Sequence, residues 1–168
     1  MGLNKPINGV NLSNSDSNPS QPLININLPD PGGMLQCVGL DAKRSSLLGQ
    51  LSPAFLAYLG DAVYELYIRT YYLLPPRRLV DYHNQVVSFV RAETQADLLE
   101  KLKPYLTDTE KEIVRRGRNA ATGKPRRLSP EVYQKATSLE TLIGYLYLNN
   151  QMRLNQLLEK LNLAENFY

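Results

Sequence analysis

An all-α fold is what this 168-residue sequence predicts, and three observations predict it. Beyond position 50 apolar residues recur at helical spacing, helix-start signals precede the apolar stretches, and no alternating strand pattern interrupts them. The eleven tyrosines and three phenylalanines all lie in that region. Residues 1–49 are rich in Asn, Ser, Pro and Gly, and their one periodic signal is an apolar–polar alternation over 23–28. The chain therefore divides into a flexible low-complexity N-terminal arm, 1–49, and a folded domain, 50–168.

The elements follow in order. Ser52 as N-cap with Pro53 in the first helical position opens a helix carrying Phe55, Leu56, Leu59, Val63, Leu66 and Tyr67. It is expected to run to about residue 74, where Pro75 and Pro76 stop it. The stretch from 79 to Pro104 carries Val86, Val90, Ala96, Leu98, Leu99 and Leu102 and reads equally as one long helix or two. Thr107 and Glu110 have capping-box spacing, for a shorter helix ending near Gly117. Residues 119–127, with Gly123 and Pro125, read as a loop. Ser129-Pro130 then starts a short helix, and a last apolar pattern runs from Leu139 to Leu161.

Composition excludes several classes of site. Cys37 is the only cysteine and His83 the only histidine, so neither an internal disulfide nor a zinc cluster can form. No basic start followed by an apolar core occurs in the first thirty residues, and the longest apolar run, 142–148, is too short to cross a bilayer. A cytoplasmic location is expected. Net charge is only +3, but residues 111–127 hold seven basic residues and one acidic one, a local +6. The positive field is concentrated on one segment, the pattern of a protein that meets a polyanion.

Two carboxylates stand in apolar helical surroundings, Asp61 in Leu59-Gly60-Asp61-Ala62-Val63 and Glu140 in Ser138-Leu139-Glu140-Thr141-Leu142. A carboxylate among apolar neighbours costs free energy unless it is paired, hydrogen-bonded or bound to metal. The two together form a candidate hard-metal site. Bland alternatives exist for each: an ion pair of Asp61 with Arg69 or Arg91, and a capping box in which Glu140 answers Thr137 at a helix start. Gly60 in mid-helix costs about 1 kcal/mol against Ala and so points to another backbone in close approach. Tyr58, Tyr64, Tyr67, Tyr71 and Tyr72 recur at helical spacing and read as core or interface. His83 stands alone and reads as structural or as a contact to the polyanion rather than as a general base.

The segment Leu59-Gly60-Asp61-Ala62-Val63-Tyr64-Glu65-Leu66 resembles the signature helix of the ribonuclease III family. The segment Leu139-Glu140-Thr141-Leu142-Ile143-Gly144-Tyr145-Leu146-Tyr147-Leu148 resembles that family's second acidic helix. The segments 83–96 and 114–120 and the basic loop are similar to the short Mini-ribonuclease III branch, which lacks a double-stranded-RNA-binding domain. The resemblance covers roughly residues 50–162.

What the resemblance implies is an Mg²⁺-dependent endoribonuclease that cuts both strands of an RNA duplex, leaves 5′-phosphate ends and works as a homodimer. It implies precursor 23S ribosomal RNA as substrate, with a ribosomal protein as a possible presenter. Asp61 and Glu140 are then the catalytic metal ligands. Arg115, Arg116, Arg118, Asn119, Lys124, Arg126 and Arg127 are the RNA-binding residues of the basic loop. The chain departs from the larger family at Ala57 and Thr137, where that family carries acids, while Glu65, one turn after Asp61, is a further contributor to weigh. The alternative reading is a non-catalytic RNA-binding or ribosome-assembly module on the same scaffold.

Overall fold

A computed structural model describes residues 50–123 and 127–163. The arm over 1–49, with its 23–28 alternation and Cys37, lies outside the described residues, as do Lys124 and Arg126. Six α-helices follow one another among the described residues: α1 Pro53–Tyr71, α2 Leu79–Val90, α3 Ala92–Leu102, α4 Asp108–Ala120, α5 Pro130–Asn149 and α6 Gln151–Glu159, with a 3-10 turn Lys103–Tyr105 after α3. The all-α reading holds, with no strand among the described residues. No described helix is long and apolar enough to cross a membrane.

The starts fall where the sequence places them. The Ser52 hydroxyl accepts from the Phe55 amide, Ser129 from Val132, and Thr107 and Glu110 form the reciprocal capping box. The stretch from 79 to 102 resolves into two helices, because Arg91 adopts an extended conformation at φ −70° and ψ 150°. Two side chains close that break: Thr94 Oγ1 donates to the Ser88 carbonyl at 2.7 Å and Gln95 Nε2 to the Val90 carbonyl at 3.0 Å.

Three expectations are corrected. Helix α1 ends at Tyr71 rather than near 74, and α4 continues past Gly117 to Ala120. The short helix and the first part of the last apolar pattern, Leu139 to Leu148, are one helix, α5, running 20 residues from Pro130 to Asn149, and Leu154, Leu157 and Leu158 of that pattern lie on α6. In the polar centre of α5 Ser138 Oγ donates to the Gln134 carbonyl and Thr141 Oγ1 to the Thr137 carbonyl, each at 2.7 Å. Hydroxyls that suggest a cap are satisfied here within the helix.

Helix α5 is the axis of the domain. It packs against α1, α3 and α4 and is followed directly by α6. Leu139, Leu142, Ile143 and Leu146 meet Leu56, Val63, Tyr64, Leu98, Leu99 and Ile113 in one core. Long-range hydrogen bonds fasten its edge, Tyr64 Oη to the Phe89 carbonyl and Tyr72 Oη to the Leu163 carbonyl.

One buried ion pair locks α6 onto α4. Glu110 is 4% exposed and accepts from Arg153 Nε at 2.8 Å, while Arg153 Nη2 also donates to the Tyr105 carbonyl at 2.7 Å. The Arg153 hydrogen bond holds the Glu110 carboxyl below its usual range. Arg153→Met strands that carboxylate without its cation and is expected to cost about 3 kcal/mol in urea unfolding. Because a depressed acid stabilises the fold only while ionised, the gap between variant and wild type should shrink as pH falls through that depressed value.

Candidate active site

Helices α1 and α5 cross backbone to backbone. A Cβ on Gly60 would strike the Glu140 carbonyl oxygen, and one on Gly144 would strike the Leu56 carbonyl oxygen. Glycine at both positions is the condition for this approach, against a helix-propensity cost of about 1 kcal/mol each. The close approach inferred from Gly60 is therefore present, and the neighbour is the helix that carries Glu140. Because Asp61 follows Gly60 directly, the crossing brings it near enough to Glu140 for its charge to act on that carboxyl.

Asp61 stands on the open side of the pair and Glu140, half-buried, behind it. Burial first and then the Asp61 charge push the Glu140 carboxyl up to about 7, against a hydrogen bond from Gln95 that acts in the opposite direction. Asp61 is raised as well, by burial first and then by the Glu65 charge. Neither acid has a cation: among the described residues Arg69 pairs with Glu65, and Arg91 donates to Thr94 Oγ1 at 3.1 Å. The ion pair weighed for Asp61 is absent from both arginines. The capping role weighed for Glu140 fails too, because Glu140 lies in the middle of α5.

The raised carboxyl has a thermodynamic consequence whose sign is fixed. The folded state holds the Glu140 proton more tightly than the unfolded chain, so stability falls as pH rises from the ordinary 4.5 through about 7. Glu140→Gln removes that cost. In EDTA the variant is expected to melt about 5 °C above wild type beyond neutral pH and to converge with it near pH 4. Melting curves across that range test it, and a wild type more stable than the variant at alkaline pH would show that the carboxylate has a cation within the protein.

Glu65, the further acid considered, is clasped by Arg69, whose Nε donates to Oε1 at 2.9 Å. It reaches the site through its charge on Asp61. Ala57 is buried and Thr137 half-buried. A third protein acid is not gathered here, for no cluster of three metal-binding side chains occurs among the described residues.

The basic residues are arranged differently from the loop expected. Arg115, Arg116, Arg118 and Asn119 sit on helix α4, and Arg115 is paired with Glu112 at i,i+3 through two 2.7 Å hydrogen bonds. The helix persists because its capping box fixes its start and Gly117 lets it lie close on α5, where a Cβ would meet the Thr141 side chain and come within 3.1 Å of Ser138 Cα. Arg116 and Arg118 flank that contact and form no ion pair among the described residues. Arg127 is exposed in the turn before α5. His83 is exposed on α2, while Tyr64, Tyr67 and Tyr72 are core and Tyr58 stands in solvent.

Sequence reasoning missed Gln95. It is 2% exposed, donates to the Val90 carbonyl, hydrogen-bonds Glu140, and keeps its own Oε1 buried without a partner. The available signal was a polar residue inside an apolar stripe, between Ala92 and Leu99 on α3.

A ribonuclease III domain model matches residues 54–151. The chain is 61% identical over 126 residues to Mini-ribonuclease 3 of Synechocystis, an alignment spanning 75% of this chain and 88% of that one. It is 53% identical over 112 residues to Mini-ribonuclease 3 of Thermosynechococcus vestitus (67% and 74%) and 40% over 130 residues to that of a Thermoanaerobacter (76% and 90%). Among solved structures, protein FN1578 of Fusobacterium nucleatum superimposes with a TM-score of 0.61 at 32% identity, covering 68% of this chain and 92% of that one.

Proposed function

From its membership of the ribonuclease III family, in the Mini-ribonuclease 3 branch, which makes this chain an endoribonuclease, we propose that it cuts double-stranded RNA with a divalent cation, Mg²⁺, held by Asp61 and Glu140. The observation that carries the reading is the placement of two acids near one another with no basic partner among the described residues. The donor set fits the ion. It consists of hard oxygens, and the orphaned Oε1 of Gln95 adds a buried acceptor for a hydrating water. Two carboxylates suffice for Mg²⁺, which keeps several of its waters.

When bound, the cation supplies an activated water and positive charge for the phosphate oxygens. Asp61 and Glu140 do the holding, and their mutual repulsion is what a cation relieves. No histidine is called upon, since His83 is exposed on α2 and the acids sit on α1 and α5. Domain 50–168 carries the catalysis, in the cytoplasm, on precursor 23S ribosomal RNA.

The duplex is met by Arg116, Arg118, Asn119 and Arg127, with Arg115, Lys124 and Arg126 adding to the same positive field. Duplex RNA is recognised by phosphate and 2′-hydroxyl contacts, so this is an electrostatic interface. Arg116→Ala and Arg118→Ala are each expected to lower the slope of log affinity against log salt by about one, measured by filter binding on a long duplex. Slopes unchanged in both variants would move the RNA to another face.

A homodimer is supported by large apolar side chains left exposed on two helices, Phe55, Tyr58 and Leu66 on α1 and Leu79, Val80 and Val87 on α2. Tyr58 is 85% exposed and Leu79 79%. Apolar side chains this exposed are accounted for by a second copy of the chain.

A further inference from the structure

We infer that Gln95 is a positioning residue of this site: its buried amide holds the Glu140 carboxylate in place for the cation, and its Oε1 accepts from a water of the cation's shell. The inference rests on the two-acid metal reading and deepens it. Gln95 occupies a position on α3 where an apolar side chain would serve the core better, one turn before Leu98 and Leu99, which are each 2% exposed. Burying a primary amide there is unfavourable unless its hydrogen-bonding groups are used.

A purely structural role accounts for only part of the side chain. Closing the break between α2 and α3 takes one N–H, the one given to the Val90 carbonyl at 3.0 Å. The same amide also acts on Glu140, on a different helix, lowering its carboxyl through a side-chain hydrogen bond, and the carbonyl oxygen is left as a buried acceptor without a donor from the protein. The 3.0 Å bond anchors the amide at the rigid end of α2, so its face toward Glu140 is fixed before any cation arrives. Residues that orient metal-binding side chains in this way typically alter metal affinity about 10- to 100-fold when removed.

The test is Mn²⁺ binding to the RNA-free chain of 168 residues, followed by electron paramagnetic resonance, for wild type, Asp61→Asn and Gln95→Met. Methionine keeps the length and unbranched shape and lacks both donor and acceptor. Gln95→Met is expected to bind Mn²⁺ about tenfold more weakly, to recover its cleavage rate at about tenfold higher metal, and to keep an unchanged KM for duplex RNA. A folded Gln95→Met that binds Mn²⁺ within about twofold of wild type overturns the assignment while leaving the two-acid site standing. A wild type that binds no Mn²⁺ overturns both. Should the variant not fold, the Gln95 side-chain amide signals of wild type are followed through a Mg²⁺ titration by NMR. They are expected to move with the binding midpoint in wild type and to stay fixed in Asp61→Asn, and signals unmoved in wild type overturn the assignment.

Discussion

Asp61→Asn is expected to reduce cleavage of a long RNA duplex by more than about 10³-fold while leaving duplex binding within a few-fold of wild type. The two effects separate because the substitution changes charge and little else. Asparagine has nearly the shape of aspartate and fits the same exposed position one residue past the Gly60 crossing, so the packing of α1 on α5 is kept. What is lost is one of the two carboxylates proposed to hold the cation, and a neutral amide oxygen binds Mg²⁺ far more weakly than a carboxylate. The positive residues of α4, which would meet the phosphates, lie on a different helix. The substitution also removes the Asp61 charge, which adds to the larger effect of burial in raising the Glu140 carboxyl, so the metal-free variant should be no less stable than wild type. Cleavage and gel-shift assays on the same duplex, each with Mg²⁺ and with EDTA, decide the matter. A variant that still cuts would take Asp61 out of the chemistry. A variant that neither cuts nor binds would make Asp61 part of the RNA surface instead.

The parts of this site that the sequence made legible are those set by local chemistry. Asp61 is visible because aspartate is a poor helix former and its neighbours Leu59, Ala62 and Val63 are apolar. Gly60 is visible because a mid-helix glycine carries a cost that only tertiary contact repays. The helix starts at Ser52, Thr107 and Ser129 are visible because capping is a matter of a few adjacent residues. What escapes is whatever depends on a neighbour distant in the chain. Glu140 three residues after Thr137 has the spacing of a helix start, and only the completed fold shows both residues inside α5. The arginines at 115, 116 and 118 alternate with loop-forming residues, yet the glycine among them, Gly117, serves close packing against α5 rather than a turn. Gln95 acquires a role only when α3 and α5 meet, because no residue near it in sequence needs its amide except Val90.

Gly60→Ala is the sharper test of how the acids are brought together, because two effects of opposite sign meet at one atom. In an isolated helix the change is favourable by about 1 kcal/mol. Here the added methyl is driven into the Glu140 carbonyl, and Gly144 offers no relief, since its own Cα lies against α1, where a Cβ would strike the Leu56 carbonyl. Backbone on both sides cannot turn aside as a flexible side chain can. The helices must separate, and core residues such as Leu56, Val63, Leu139 and Ile143 lose contact along with them. Overpacking of a close-packed core costs about 1–3 kcal/mol, and backbone contact places this case at the upper end, so the net loss in urea unfolding is expected to be about 2 kcal/mol or more. Cleavage should fall further than stability does, measured where the variant remains folded, because a shift of α1 against α5 changes the separation of Asp61 and Glu140 directly. Gly117→Ala is the comparison: its new methyl meets the Thr141 side chain and Ser138 Cα, on the α4 side of α5, and should lower stability without a matching loss of metal-dependent cleavage. If Gly60→Ala instead matched wild type in both stability and rate, the crossing would have slack, and the spacing of the two acids would have to be set by Gln95 and the buried core rather than by the glycine pair.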